Sequence, residues 1–507
     1  MYAMIPSLVC DFYKTSHRLQ YPAGTEFIYS TMVPRNNKYL PKVDRVVSSG
    51  VTGFVRKYLV DFFNQAFFAR PVDEVVSEYS QFIKRTLGAD DDGLHIRELH
   101  ELGHLPLRIK AITEGESVPI GVPVLTVENT DKRFAWLTNY METLISCCLW
   151  QPMTYASIAR KYYQIGLAYA DMTCDNNDHL QFQFHDFSMR GMSSPESAQV
   201  SGLGHLIYFN GTDTIPAITY VDEYYNYGSK EHELFRPGSI PATEHSVMCA
   251  QIAKQEAAGG GRDETETYRK LLTEIYPSGL VSVVSDTYDF WHNVSVVIPS
   301  LKDEIMARDG KFVVRPDSGN PVEVLCGIPE SEGELPEEKG LIQCLWETFG
   351  GTINEKGYKV LDPHIGAIYG DSITLERAEQ ILAGLAAKGF ASSNVVFGIG
   401  SYSYQGNTRD SLGFAIKATS MVQDGVEYML QKDPKTDSGK KSHRGRVAVI
   451  GDICVDCLDS ESIKNYPKSR LTTVFEEGVY GYANIELIRE RALFEVNLNL
   501  KLNNGGL

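Results

Sequence analysis

Residues 311–321, KFVVRPDSGNP, end an apolar run in a guanidinium, a carboxylate and a tight turn. Phe312, Val313 and Val314 favour an extended strand. Pro316, Ser318, Gly319, Asn320 and Pro321 stop strands and turn backbone N–H groups outward. Arg315 offers a planar fork of donors that matches a phosphate, and Asp317 offers oxygens for Mg²⁺ or a sugar hydroxyl, so the two together suit a phosphorylated sugar. Taken alone, the segment reads equally as a surface turn with one exposed ion pair. The same grammar recurs, however, in FQFHDFSMRG (182–191), HLIYFNGTDT (205–214), VSVVSDTYD (281–289), GAIYGDS (366–372) and VVFGIGS (395–401).

Such tips need a scaffold that brings strand ends together. Apolar residues at Ile373, Leu375, Ala378, Ile381, Leu382, Leu385 and Ala386 fit one face of a helix, and Gly389 is placed to end it. Strands alternating with helices imply a parallel sheet, and functional groups at successive strand ends suit a barrel with its ligand site at the carboxyl ends. Residues 151–410 therefore read as an α/β domain built as a distorted (β/α) barrel. Residues 1–150 carry turn-separated strand patterns such as LRIKAITEG and VPVLTVENTD and read as a strand-rich α+β domain. Its sheet is expected to be shared with strands from a C-terminal segment, 411–507. GGGRDETET (259–267) and PESEGELPEEKG (329–340) read as surface insertions; KDPKTDSGKKSHRGR (432–446) reads as a mobile basic loop or as a lid over a polyphosphate.

With 507 residues, 43% of them hydrophobic, the chain can bury a large core. Its formal net charge of −17 disfavours nucleic acid or an anionic membrane as partner, although local arginines still permit small anionic ligands. No apolar run reaches membrane-spanning length, and the start lacks the basic and apolar regions of a secretory signal. Nine scattered cysteines read as reduced thiols of a cytoplasmic protein. Cys454 and Cys457 form a CxxC without a second pair or nearby histidines, a weak signal for zinc or redox chemistry.

From DFYKTSH (11–17) through GHLPLRIKA, LTVENTD, WLTNYMETL, FHDFSMRG, FNGTDT, PATEHS, VSVVSDTYD, RPDSGNP, YGD and FGIGS to NTRD (407–410), the chain resembles the nicotinamide phosphoribosyltransferase family, motif by motif and in order. The resemblance implies a homodimer with active sites at the subunit interface, a barrel-like domain and a mixed α+β domain. It also implies a reaction: nicotinamide and phosphoribosyl pyrophosphate give nicotinamide mononucleotide and pyrophosphate, with Mg²⁺, stimulated by ATP, in NAD biosynthesis.

Carried over position by position, the resemblance assigns Arg190 and Arg315 to the pyrophosphate and the edge of the pyridine ring, and Phe187 to one ring face. Tyr13 is assigned to the other face, reaching in from the partner subunit. Asp213 would accept from the carboxamide NH₂ and repel the carboxylate of nicotinate. His245 would be transiently phosphorylated by ATP, with Glu244 orienting its ring, and its place at a helix start suits a phosphoryl group. Ser285, Asp289, Asp317, Gly370 and Asp371 would hold ribose hydroxyls or the metal-bound phosphoribosyl group, with Mg²⁺ held mainly by pyrophosphate and in part by Asp317. Gly400, Ser401 and Arg409 would cradle the 5′-phosphate. Catalysis is expected to rest on His245, Arg315, Asp317 and Asp289. FGIGSYSYQ departs from the family's longer glycine run, placing Ser401 where a glycine is expected. Two alternatives stand beside this reading: a phosphoribosyltransferase for nicotinate, and a non-enzymatic binding protein on the same fold.

Overall fold

Branched and aromatic runs form five parallel strands: β1 (Phe184–Asp186), β2 (Val281–Val284), β3 (Phe312–Arg315), β4 (Ile365–Tyr369) and β5 (Val395–Ile399), in the spatial order β1-β5-β4-β3-β2. Every residue of β1, β2 and β4 is buried, which explains why these strands read as continuous apolar runs rather than alternating ones. The register sets Val284 against Arg315, Ala367 against Val314 and Ile399 against Asp186, so the carboxyl ends share one edge of the sheet. Among the described residues the ladder does not close as a continuous barrel. Two irregular segments link β1 to β2 instead, through isolated parallel bridges from Asp186 to Thr212, Gly211 to Gly238 and Ala242 to Ser282.

The computed structural model describes residues 4–503 apart from 89, 227, 229, 231–234, 330 and 332, so two positions of the acidic stretch 329–340 lie outside the described residues. The chain divides into two compact units. One comprises Met1–Ser157, Thr219–Phe235 and Asn407–Leu507; the other, which contains the parallel sheet, comprises Ile158–Ile218 and Arg236–Gly406. Residues 219–235, expected within the middle segment, thus cluster with the first unit. Between β4 and β5 runs the helix Leu375–Ala387, which buries Leu375, Ala378, Ile381, Leu382 and Leu385; Thr374 caps its start, and Gly389 follows its end at φ +76°.

The first unit is built on a seven-stranded sheet in which Thr25–Pro34 pairs antiparallel with both Leu125–Asn129 and Phe414–Gln423. N- and C-terminal segments therefore share one sheet. Glu264, in the stretch expected to be a surface insertion, is buried and accepts from Asn293 Nδ2, because the following helix Thr265–Lys270 packs its first turn inward. All nine cysteines are free thiols. No helix among the described residues is long and apolar enough to cross a membrane.

Candidate active site

Most of the residues expected to form the site stand at the carboxyl ends of β1 to β5. Phe187 continues β1, its N–H donating to Ile399 O at 2.9 Å, and its ring lies over two glycines. A Cβ on Gly398 would fall 2.2 Å from that ring and one on Gly370 3.1 Å from it, so only glycine at 398 lets the aromatic settle onto the strand tips. The loop after Phe187 presents Arg190, exposed and without an ion-pair partner among the described residues. Gly191 in that loop packs on Ser401, where a Cβ would meet Ser401 Oγ at 2.1 Å. Gly400 and Ser401 open a one-turn helix, Ser401–Tyr404, so the expected phosphate cradle is a turn into a helix and not an extended glycine loop.

Beyond β2, Asp286 gathers three donors. His245 Nε2 lies 3.0 Å from Oδ1, while Oδ2 accepts from the Asp317 N–H at 3.0 Å and from Ser318 Oγ at 2.6 Å. The Asp286 side chain is only 4% exposed, against 46% for His245. His245 is the first residue of the helix His245–Ala257, and its Nδ1 takes no part in this pair. Glu244, expected to orient the imidazole, instead accepts from Ser246 Oγ; Asp286 takes the orienting role because it projects from the adjacent strand tip.

Arg315 donates one guanidinium N–H to Thr243 O at 2.7 Å, and its buried Nε has no partner, leaving the fork with unspent donors. Tyr369 Oη donates to the carbonyls of Ser318 and Gly319 at 3.0 Å each, tying the RPDSGNP turn to β4. Burial, with Asp371, Asp317 and Asp286 all close by, pushes this hydroxyl's pKa up. The charges of three carboxylates are thus felt at this one hydroxyl, yet among the described residues no three His, Cys, Asp or Glu side chains are disposed to hold a metal by themselves. Such a set fits Mg²⁺ arriving on a phosphate, since that ion keeps waters and needs only one or two protein carboxylates.

Two expected residues serve the scaffold. Asp289 caps the next helix, its carboxylate accepting from the His292 N–H at 3.0 Å, and Ser285 Oγ is spent on Val283 O at 2.8 Å. Asp286 was missed although it stands in the same VSVVSDTYD motif; counting from the end of the valine run, it is the acid nearest the strand tip. His185 and Ser239 were also missed: both contact Asp213, whose backbone N–H donates to Asp186 O at 2.9 Å. Burial pushes the Asp213 carboxyl up, but hydrogen bonds from His185 and Ser239 and the charge of Arg315 outweigh it and leave the group below the ordinary range.

Tyr13 and Arg409 lie in the first unit, both exposed, Tyr13 at 58%. That unit also holds a cavity of about 400 Å³ lined by Arg35, Lys417, Lys440, Lys441, His443 and Asp456, so the basic loop 432–446 forms one of its walls. Cys454 Sγ approaches His443 Nδ1 to 3.6 Å, a neighbour that the spacing did not reveal.

A fork with free donors, clustered acids and an open aromatic face, all at one end of a parallel sheet, are the parts a transferase of a phosphorylated sugar to a flat ring requires. Comparison with known proteins makes this specific. Residues 182–478 match the Nicotinate phosphoribosyltransferase (NAPRTase) family, and residues 7–109 match the Nicotinamide phosphoribosyltransferase N-terminal domain. The chain is 46% identical over 486 residues to a nicotinamide phosphoribosyltransferase of Acinetobacter baylyi, covering 93% of this chain and 94% of the relative. It is 35% identical over 465 residues to that of Mycoplasma pneumoniae, covering 87% and 94%. In fold it is similar to the nicotinate-nucleotide pyrophosphorylase of Pyrococcus furiosus (TM-score 0.52, 14% identity, 97% and 95% covered). It is similar in the same way to human nicotinic acid phosphoribosyltransferase (TM-score 0.52, 15% identity, 96% and 93% covered). The chain belongs to the nicotinate phosphoribosyltransferase family.

Proposed function

We propose that this protein transfers the phosphoribosyl group of phosphoribosyl pyrophosphate to nicotinamide, giving nicotinamide mononucleotide and pyrophosphate. The ring nitrogen attacks ribose C1 while the C–O bond to pyrophosphate breaks and its electron pair leaves with the pyrophosphate. Phe187 supports one face of the ring. Arg190 and Arg315 meet the charge that develops on the leaving group. Asp317 and Asp371 take the ribose hydroxyls, and Gly400 and Ser401 take the 5′-phosphate. Asp317 and Asp371 are the side chains that would hold a Mg²⁺ ion brought in on the pyrophosphate, and such an ion would supply charge neutralisation for the leaving group.

The observation that carries the choice of ring is Asp213, a carboxylate 47% exposed beside the Phe187 segment and kept ionised by its neighbours. An anion there accepts from an amide and repels a carboxylate. ATP is read as acting through His245. With Nε2 turned to Asp286, the proton sits on Nε2 and Nδ1 keeps the lone pair, so Nδ1 attacks the γ-phosphorus, ADP leaves, and Asp286 faces the resulting cation. A homodimer would supply Tyr13, Arg409 and the basic cavity of the first unit to a shared site.

The test is a product assay with phosphoribosyl pyrophosphate, Mg²⁺ and equal nicotinamide and nicotinate, with and without ATP, on wild type and Asp213→Asn. The expected result is nicotinamide mononucleotide as main product, increased by ATP, with a preference that falls about tenfold or more in the variant. Preference for nicotinate rejects the choice of ring; no nucleotide under any condition rejects the enzyme.

A further inference from the structure

The Asp213 carboxylate is held from one side only. His185 Nε2 lies 3.0 Å from Oδ1, and Ser239 Oγ donates to the same oxygen. Among the described residues no donor reaches Oδ2. A carboxylate only accepts, so the imidazole must carry its proton on Nε2. The ring that delivers this bond is itself fixed: His185 is buried within β1, and its centroid is 5.0 Å from that of Phe187. Gly211 makes room for it, since a Cβ there would fall 2.5 Å from His185 Nδ1. Beneath Gly211, buried His205 donates from Nε2 to the Gly211 carbonyl at 3.1 Å and accepts at Nδ1 from Tyr404 Oη at 2.7 Å, its pKa pushed down to about 4 by burial, so the support is neutral.

The last torsion of an aspartate is soft, and an exposed carboxylate left alone rotates and is hydrated from all sides. Two donors on Oδ1 remove that freedom and leave Oδ2 as the acceptor presented outward. Resting on the function proposed above, we infer that His185 is a positioning residue for ring selection: it anchors Oδ1 of Asp213 so that Oδ2 meets the carboxamide of nicotinamide and opposes the carboxylate of nicotinate. His185 touches neither substrate nor reacting atoms in this role. It sets a difference in affinity between two rings and leaves the rate of glycosyl transfer to other groups.

The experiment compares His185→Leu, which removes the donor, with His185→Gln, whose amide N–H reaches near the Nε2 position, each alone and with Asp213→Asn. The readout is the ratio of kcat/KM for nicotinamide to that for nicotinate, with thermal melting as a check on folding. The expected result is a ratio lowered about tenfold in His185→Leu, carried by KM for nicotinamide, and largely restored in His185→Gln. In the Asp213→Asn background, His185→Leu is expected to cause no further loss. A loss that falls equally on both rings, that Gln does not restore, or that adds fully to Asp213→Asn overturns the proposal. If the wild type turns over neither ring, the proposed function fails, and the same ratio taken from calorimetric dissociation constants still decides the role of His185. If the wild type binds neither ring, both are overturned.

Discussion

Three donors converge on Asp286, from a side chain at a helix start, from the backbone of the RPDSGNP turn and from Ser318, so one buried carboxylate couples His245 to the loop of Arg315 and Asp317. Asp286→Asn keeps the size but replaces an acceptor oxygen with a donor, setting N–H against N–H at one of these contacts. The expected outcome is loss of ATP stimulation and of acid-labile label from γ-labelled ATP on His245, with the ATP-independent rate lowered about tenfold; phosphate-label transfer and initial rates check it. For Asp213 the sign of the pH effect follows from a carboxyl pKa depressed in the folded state. Such a group's interactions are in place above its ordinary value of about 3.9 and are lost only as pH falls through the lower folded value. The nicotinamide-to-nicotinate ratio is therefore expected to stay flat from about pH 8 to pH 5.5, and a drop centred near pH 6.5 would mean that another group governs it. At this scale the sequence was legible where a side chain stands at a strand tip, as with Phe187, Arg315 and Asp317. It was not legible where one acid of a motif caps a helix and another faces the site: the pair Asp286 and Asp289 differs only in distance from the strand end.

At the scale of elements, the parallel sheet works as a floor whose height is set by glycines. Gly398→Ala places a methyl group 2.2 Å from the Phe187 ring, which must tilt or lift. The expected outcome is a KM for nicotinamide raised about tenfold, with a smaller change for phosphoribosyl pyrophosphate and a far-UV spectrum like that of the wild type; steady-state kinetics and circular dichroism check it. The strands, their parallel pairing and the helix Leu375–Ala387 were readable because burial on both faces leaves unbroken apolar runs and because Gly389 marks the helix end, although the start falls at the Thr374 cap and leaves Ile373 outside the helix. The way the sheet edges are linked was not. Single bridges at Thr212, Gly238 and Ala242 leave no run of branched residues to read, and Glu264 looked solvent-borne because its partner Asn293 is 29 residues away.

At the scale of the whole molecule, the proposed dimer makes a quantitative claim. If each site joins Tyr13 of one subunit to Asp213 of the other, Tyr13→Ala and Asp213→Asn are each defective alone. Co-expressed dimers are then expected to recover about one quarter of wild-type activity, because half are mixed and each mixed dimer has one intact site. Activity no higher than the mean of the two homodimers places both residues in one subunit's site. The sharing of one sheet by distant segments also bears on how the chain is made. Thr25–Pro34 finds its neighbour Phe414–Gln423 only after about 380 intervening residues, roughly 20 to 80 s of synthesis at common ribosome speeds. Through that interval the parallel-sheet unit can fold behind it, while the early strand waits at the ribosome with one edge unsatisfied. The nascent chain, more than the finished enzyme, is the form of this protein that calls for a chaperone.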